Sequence, residues 1–225
     1  MSVARSHKSW TMDIKKVDFG SANYILEEHP KKQIYLHHTA GNPSGEGVFD
    51  WWKSNTERIA TCVAISGKGS NDGQIVQGFS SKYWAYHLGL KKQLFSNNAL
   101  PYLSLDKYSI GIEICNWGDL QFRDGKFYNY VNREVPESEV MELDKPFKGD
   151  RFFHNYTDAQ IESVRQLLLL WKQRYGIPLT YNKDIWDISK RALGGEPGVY
   201  THNSVRTDKN DVYPHPKLIE MLKSL

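Results

Sequence analysis

Apolar and polar residues alternate along Gln33-Ile34-Tyr35-Leu36-His37-His38, the pattern of a strand whose side chains face its two sides in turn. Gly41-Asn42-Pro43-Ser44-Gly45 ends that strand as a loop. Val48 to Asn55, with Phe49, Trp51 and Trp52, reads as a short helix N-capped by Ser44. Thr61 to Ile65 and Gln74 to Gln77 read as two short strands, with a turn at Asn71-Asp72-Gly73 between them. Tyr108 to Cys115, in YSIGIEIC, carries the clearest strand pattern. Ile110, Ile112 and Ile114 share one face, while Gly111, Glu113 and Cys115 share the other.

Residues 1–30 are weakly patterned and read as an arm. From Asp119 to Arg151 the character changes: FRDGKFYNY predicts a hairpin turning at Asp124-Gly125, and the EVPESEVMELD that follows is acidic without a base. This stretch reads as a surface insertion, about 119–151, in a domain of residues 31–225. Thr157 and Gln160 then form a capping box that opens a helix. Ile161, Val164, Leu168, Trp171 and Tyr175 follow at helical spacing until Gly176 and Pro178 stop it. A shorter helical piece from Asp184 to Leu193 leads to a strand at Val199-Tyr200-Thr201-His202, and a last helix begins at Pro216. Strands interleaved with helices predict a single α/β domain around a central mixed β-sheet flanked by helices.

Composition narrows the class. The chain has 225 residues, 40% of them hydrophobic and 13% aromatic, which suits a folded soluble domain. The longest apolar run of note, Leu167 to Leu170, falls far short of a membrane span. A net charge of +3 is no nucleic-acid footprint, and two cysteines make no disulfide scaffold. The basic N-terminus lacks an apolar stretch behind it, so synthesis in the cytoplasm without a signal peptide is expected. Cys62 and Cys115, both in strands, read as buried inert thiols.

Three features carry chemistry. His37 and His38 close a strand, so their imidazoles point in opposite directions and one of them joins a given site. Glu113 lies inside an apolar strand, where a carboxylate is either partnered by a cation or raised in pKa and used as an acid or base. His202 opens a loop rich in carboxylates and carrying Lys209. His37, His202 and one loop carboxylate would make the three-ligand set of a catalytic Zn²⁺, with Glu113 placed to take a proton. Each feature has a plainer reading as well: a wet strand end, a paired sheet carboxylate, a solvated loop.

In order, IYLHHTAG, DGQIVQGF, WAYHLG, YSIGIEIC, YTDAQIESV with RYGIP, and a late His followed by Lys-x-Asp cover Lys32 to Pro216. Taken together they resemble the zinc-dependent type-2 N-acetylmuramoyl-L-alanine amidases, a family that also includes peptidoglycan recognition proteins and phage lysozyme-amidases. The resemblance implies Zn²⁺ held by His37 rather than His38, by His202, and by Asp211, with Asp208 in reserve. It implies Glu113 as general base and Lys209 beside the developing oxyanion, while His87 and Trp84 would line the substrate groove. The implied reaction is hydrolysis of the amide between N-acetylmuramic acid and L-alanine in peptidoglycan or a muropeptide, by a monomer that binds no nucleic acid and inserts in no membrane. An endolysin fits these features. A cytoplasmic muropeptide-recycling amidase, an interbacterial effector, a zinc peptidase of the stem peptide and a non-catalytic peptidoglycan-binding protein are the other readings.

Overall fold

The computed structural model describes Met12 and residues 14–225. In chain order the strands are β1 (Ile14–Lys16), β2 (Gln33–His38), β3 (Val63–Ile65), β4 (Ile75–Gln77), β5 (Ser109–Ile114), β6 (Gln121–Arg123), β7 (Lys126–Tyr128), β8 (Glu134–Val135), β9 (Val140–Phe147), β10 (Asp150–His154) and β11 (Gly198–Thr201). The helices are α1 (Gly45–Lys53), α2 (Lys92–Asn97), α3 (Leu105–Tyr108), α4 (Asp158–Tyr175), α5 (Lys190–Leu193) and α6 (Pro216–Lys223).

Local chemistry accounts for the helix ends. Ser44 Oγ accepts the Gly47 N–H at the start of α1. Thr157 and Gln160 exchange side-chain and backbone hydrogen bonds at the start of α4, and Gly176 closes it with φ 69°, a left-handed conformation natural to glycine. His215 caps α6 by accepting the Lys217 and Leu218 N–H groups, so it serves the helix and stands outside any ligand cluster.

Six strands form one mixed sheet in the order β1-β4-β3-β5-β2-β11. β11, β2, β5 and β3 run parallel, β4 runs antiparallel to β3, and β1 joins the edge parallel to β4. The arm is therefore part of the sheet from Ile14 onward. It also sends Phe19 into the core against Phe49, ring centroids 5.1 Å apart. Every residue of β2 and β5 is buried, as central parallel strands covered on both faces should be.

Register assigns the faces. His38 pairs with Ile114 and points toward the Tyr156 hydroxyl, which lies 2.7 Å from its Nδ1 just ahead of α4. His37 pairs with Glu113 on the other face. The expected opposition of the two imidazoles is what the sheet shows.

The insertion departs from its expected form. Its hairpin β6–β7 turns at Asp124-Gly125 as the sequence predicts, but β9 and β10 carry the structure on to His154. It is more than a surface elaboration, because Leu143 and Phe153 enter the hydrophobic core and Phe153 stacks on Tyr213 at 4.3 Å. Among the described residues no helix is long and apolar enough to cross a membrane.

Neighbouring leucines of α4 test the packing. Leu168 is fully buried while Leu169 is 37% exposed. Leu168→Ala should cost about 2–5 kcal/mol in urea unfolding, whereas Leu169→Ala should stay within about 0.5 kcal/mol.

Candidate metal centre

Three adjacent strands bring the polar side chains together. Parallel pairing aligns Thr201 of β11 with Leu36 of β2, so the next residues, His202 and His37, stand at the same height. On the far side of β2, the register sets His37 opposite Glu113 of β5. His202 itself leaves the strand and opens a short 3-10 turn, His202–Ser204, one residue earlier than the sequence pattern predicts. Asp211 arrives from the loop beyond, whose path is held by Asn203 Nδ2 donating to the Asp211 and Val212 carbonyls at 3.1 and 2.8 Å.

The result is a triangle of ligand atoms. His37 Nδ1 lies 3.1 Å from His202 Nδ1. Asp211 Oδ2 lies 3.0 Å from His202 Nδ1 and 3.3 Å from His37 Nδ1. All three residues are buried. Ligands about 2.0–2.1 Å from a tetrahedral zinc stand roughly 3.3 Å from one another, so these edges fit the ion the donor set suggests. Burial pushes the His37 imidazole down to about 4, with His202 adding to the effect against the pull of Asp211. Burial works to raise the Asp211 carboxyl, but the two imidazoles outweigh it and hold it well below the ordinary carboxylate range. A carboxylate facing an uncharged His37 at neutral pH is a donor set suited to a divalent cation.

Glu113 and Lys209 line the same cavity, a groove of about 960 Å³. Among the described residues the Glu113 side chain makes no hydrogen bond or ion pair, and it is 9% exposed. Burial first, then the negative charge of Asp211, pushes its carboxyl well above the ordinary value, with Lys209 opposing. Asp208 is turned elsewhere: Arg206 Nε and Nη2 hold it at 2.8 and 2.7 Å, and Lys91 approaches at 3.4 Å.

The two groove residues expected from WAYHLG are placed differently. Trp84 is 5% exposed and does not reach the groove, packing instead edge-on against Tyr86 and under Lys107. His87 reaches the cavity wall, but its ring is engaged behind the ligands, with Nδ1 3.0 Å from His37 Nε2 and Nε2 2.9 Å from Ser109 Oγ. The groove lining includes two exposed aromatics: Trp51, 67% exposed, on α1, and Tyr130, 62% exposed, in the insertion. Trp52, the neighbour of Trp51, is buried in the core. Trp117, Tyr130 and Lys148 escaped the reading of the sequence because they flank or sit within the insertion, and only its folded path carries them to the groove.

Residues 27–216 match the sequence profile of the N-acetylmuramoyl-L-alanine amidase family. No curated protein matches the chain. Among solved structures, PlyL is similar with a TM-score of 0.53 at 16% identity, covering 94% of this chain and 98% of PlyL. The PlyG catalytic domain has a TM-score of 0.52 at 17% identity, covering 95% of this chain and 94% of that one. A mutant endolysin from Bacillus subtilis has a TM-score of 0.51 at 13% identity, covering 95% and 98%. At these identities the likeness establishes the fold.

The state of Glu113 has a measurable consequence. With its folded pKa raised, the unfolded chain loses this proton first, so stability falls as pH rises above the unfolded value of 4.5. Glu113→Gln, which imitates the protonated carboxyl, should make the metal-free protein more stable than wild type at pH 7. The gain should vanish near pH 4, as chemical denaturation at the two pH values would show.

Proposed function

The chain belongs to the N-acetylmuramoyl-L-alanine amidase family, and from that premise we propose that it hydrolyses the amide joining N-acetylmuramic acid to L-alanine in peptidoglycan, with Zn²⁺ as cofactor. One observation carries the reading. His37 on β2 and His202 just past the end of β11 form, with Asp211, a triangle of zinc-sized edges beside the buried Glu113 carboxylate of the adjacent strand β5.

His37, His202 and Asp211 would hold the ion. When bound, zinc supplies Lewis acidity, polarising a carbonyl oxygen and acidifying water. Glu113 supplies the proton traffic. Deprived of solvent and of a partner cation, its carboxylate is a stronger base than an exposed one, so it takes the proton of the attacking water. As the C–N bond breaks, Glu113 returns that proton to the departing amine of L-alanine, leaving a free carboxylate on the lactyl group. Lys209, on the groove wall, places its ammonium where negative charge accumulates on the carbonyl oxygen. Trp51 and Tyr130, both exposed along the groove, offer flat faces to the substrate.

The setting we propose is lysis of the polymeric wall. An open groove lined by exposed aromatics suits a long substrate, and the fold is one that an endolysin uses. Faster peptide release from intact sacculi than from soluble anhydro-muropeptides supports this; the reverse preference would assign the enzyme to muropeptide recycling.

The purified protein should contain about one zinc per chain, and Asp211→Ala should lose it. Glu113→Gln should keep the metal while kcat falls roughly 10²–10⁴-fold. Mass spectrometry of digests should find stem peptides with a free L-alanine amino terminus. Cleavage within the stem peptide would sink the amidase reading and favour a peptidase.

A further inference from the structure

Both candidate ligand imidazoles are backed by one dipeptide. His202 Nε2 donates to the Leu88 carbonyl at 3.0 Å, and His37 Nε2 meets His87 Nδ1 at 3.0 Å. The dipeptide is itself pinned. The backbone N–H groups of His87 and Leu88 both donate to Asp106 Oδ1, at 2.8 and 3.0 Å. Asp106 belongs to α3, is 6% exposed, and lies directly ahead of β5, the strand that presents Glu113. On its far edge the His87 ring is tied to β5 through Ser109 Oγ at 2.9 Å.

The hydrogen-bond directions run one way. A carbonyl only accepts, so the proton of His202 sits on Nε2 and its Nδ1 presents a lone pair to the triangle. Ser109 Oγ donates to the Asp106 carbonyl at 3.4 Å, which leaves it accepting from His87 Nε2–H. His87 Nδ1 then accepts from His37 Nε2–H, and His37 Nδ1 also turns a lone pair inward. Each ligand nitrogen is thereby assigned by the group behind its ring.

The space for this arrangement is built in. A Cβ on Gly111 would lie 3.0 Å from His87 Nδ1 and 2.5 Å from Thr61 Cγ2. The gap that glycine leaves on the Glu113 face of β5 is filled by His87 and Thr61, which is why the imidazole can stand against the strand.

We propose that His87, anchored by Ser109, and Leu88, anchored with it by Asp106, are positioning residues that fix the tautomer and orientation of both zinc-binding histidines. The proposal rests on the zinc reading above. It moves His87 from substrate contact to metal support, and gives WAYHLG a role in holding the site rather than in lining it.

Zinc affinity, measured by chelator competition on the folded protein, tests it. His87→Leu keeps apolar bulk and removes the acceptor, so zinc should bind roughly 10–100-fold more weakly. The thermal midpoint of the metal-free protein should stay close to wild type. His87→Asn restores an acceptor near the Nδ1 position and should recover most of the affinity. A purely structural His87 would lower the metal-free midpoint in both variants with no recovery by Asn. If His87→Leu fails to fold, Ser109→Ala frees the rear edge of the His87 ring and should weaken zinc several-fold. Wild-type zinc affinity in His87→Leu, or in Ser109→Ala when His87→Leu does not fold, overturns the proposal. A raised KM with unchanged zinc affinity returns His87 to substrate contact. Failure of the wild-type protein to bind zinc overturns the metal reading instead, so the two failures are told apart.

Discussion

Parallel strands β11, β2 and β5 hold equivalent residues at the same height, about 4.8 Å apart, and the polar site hangs on that alignment. His202, His37 and Glu113 are abreast because Thr201 pairs with Leu36 and His37 pairs with Glu113. Side chains alternate along a strand, so a slip of β2 by one residue would send His37 to the face of Tyr156 and bring His38 forward. The register is held by apolar side chains on the opposite face, where Leu36 pairs with Ile112 and Ile34 with Ile110. Core packing and site geometry are thus one constraint, applied to two sides of the same strands.

The fourth partner depends on a longer path. Asp211 reaches the histidines on a loop tied to the insertion: Lys148 Nζ donates to the Thr207 and Lys209 carbonyls at 3.5 and 2.6 Å, and Asn210 Nδ2 donates to Asp119 Oδ1 at 2.9 Å. The insertion supplies a groove wall through Tyr130 and steadies the segment that carries Lys209 and Asp211. Beneath the histidines, the His87-Leu88 dipeptide performs the matching task from inside the fold. Under the proposed zinc reading, side chains held from behind would lose less orientational freedom on binding the ion.

Electrostatics shows where stability is given up. Glu113 is 9% exposed beside a second carboxylate, with Lys209 acting against its raised pKa. A core built for stability alone would pair or remove such a group. Its retention beside the ligand triangle is what a proton-transfer role requires, since a paired carboxylate would be a weaker base.

Much of this was legible from local pattern. Helix caps at Ser44 and Thr157, the Asp124-Gly125 hairpin and the buried strand around Glu113 depend on neighbours in sequence, and the structure has them close to where the residues place them. WAYHLG shows why a motif alone does not give a side chain's direction. A histidine and a tryptophan next to an expected groove look like contacts, yet their direction depends on what packs behind them, and here Trp84 is buried and His87 backs His37. The sequence by itself determined the elements, the apolar faces and the residue types capable of the chemistry, because periodicity and capping act over a few residues. It took the folded chain to bring Asp211 rather than Asp208 to the histidines, and to set His37 and His202, 165 positions apart, with their Nδ1 atoms 3.1 Å from one another. Those outcomes are set by strand register and by partners far apart in the chain, such as Lys148 for the Lys209 carbonyl, which no short stretch of sequence contains.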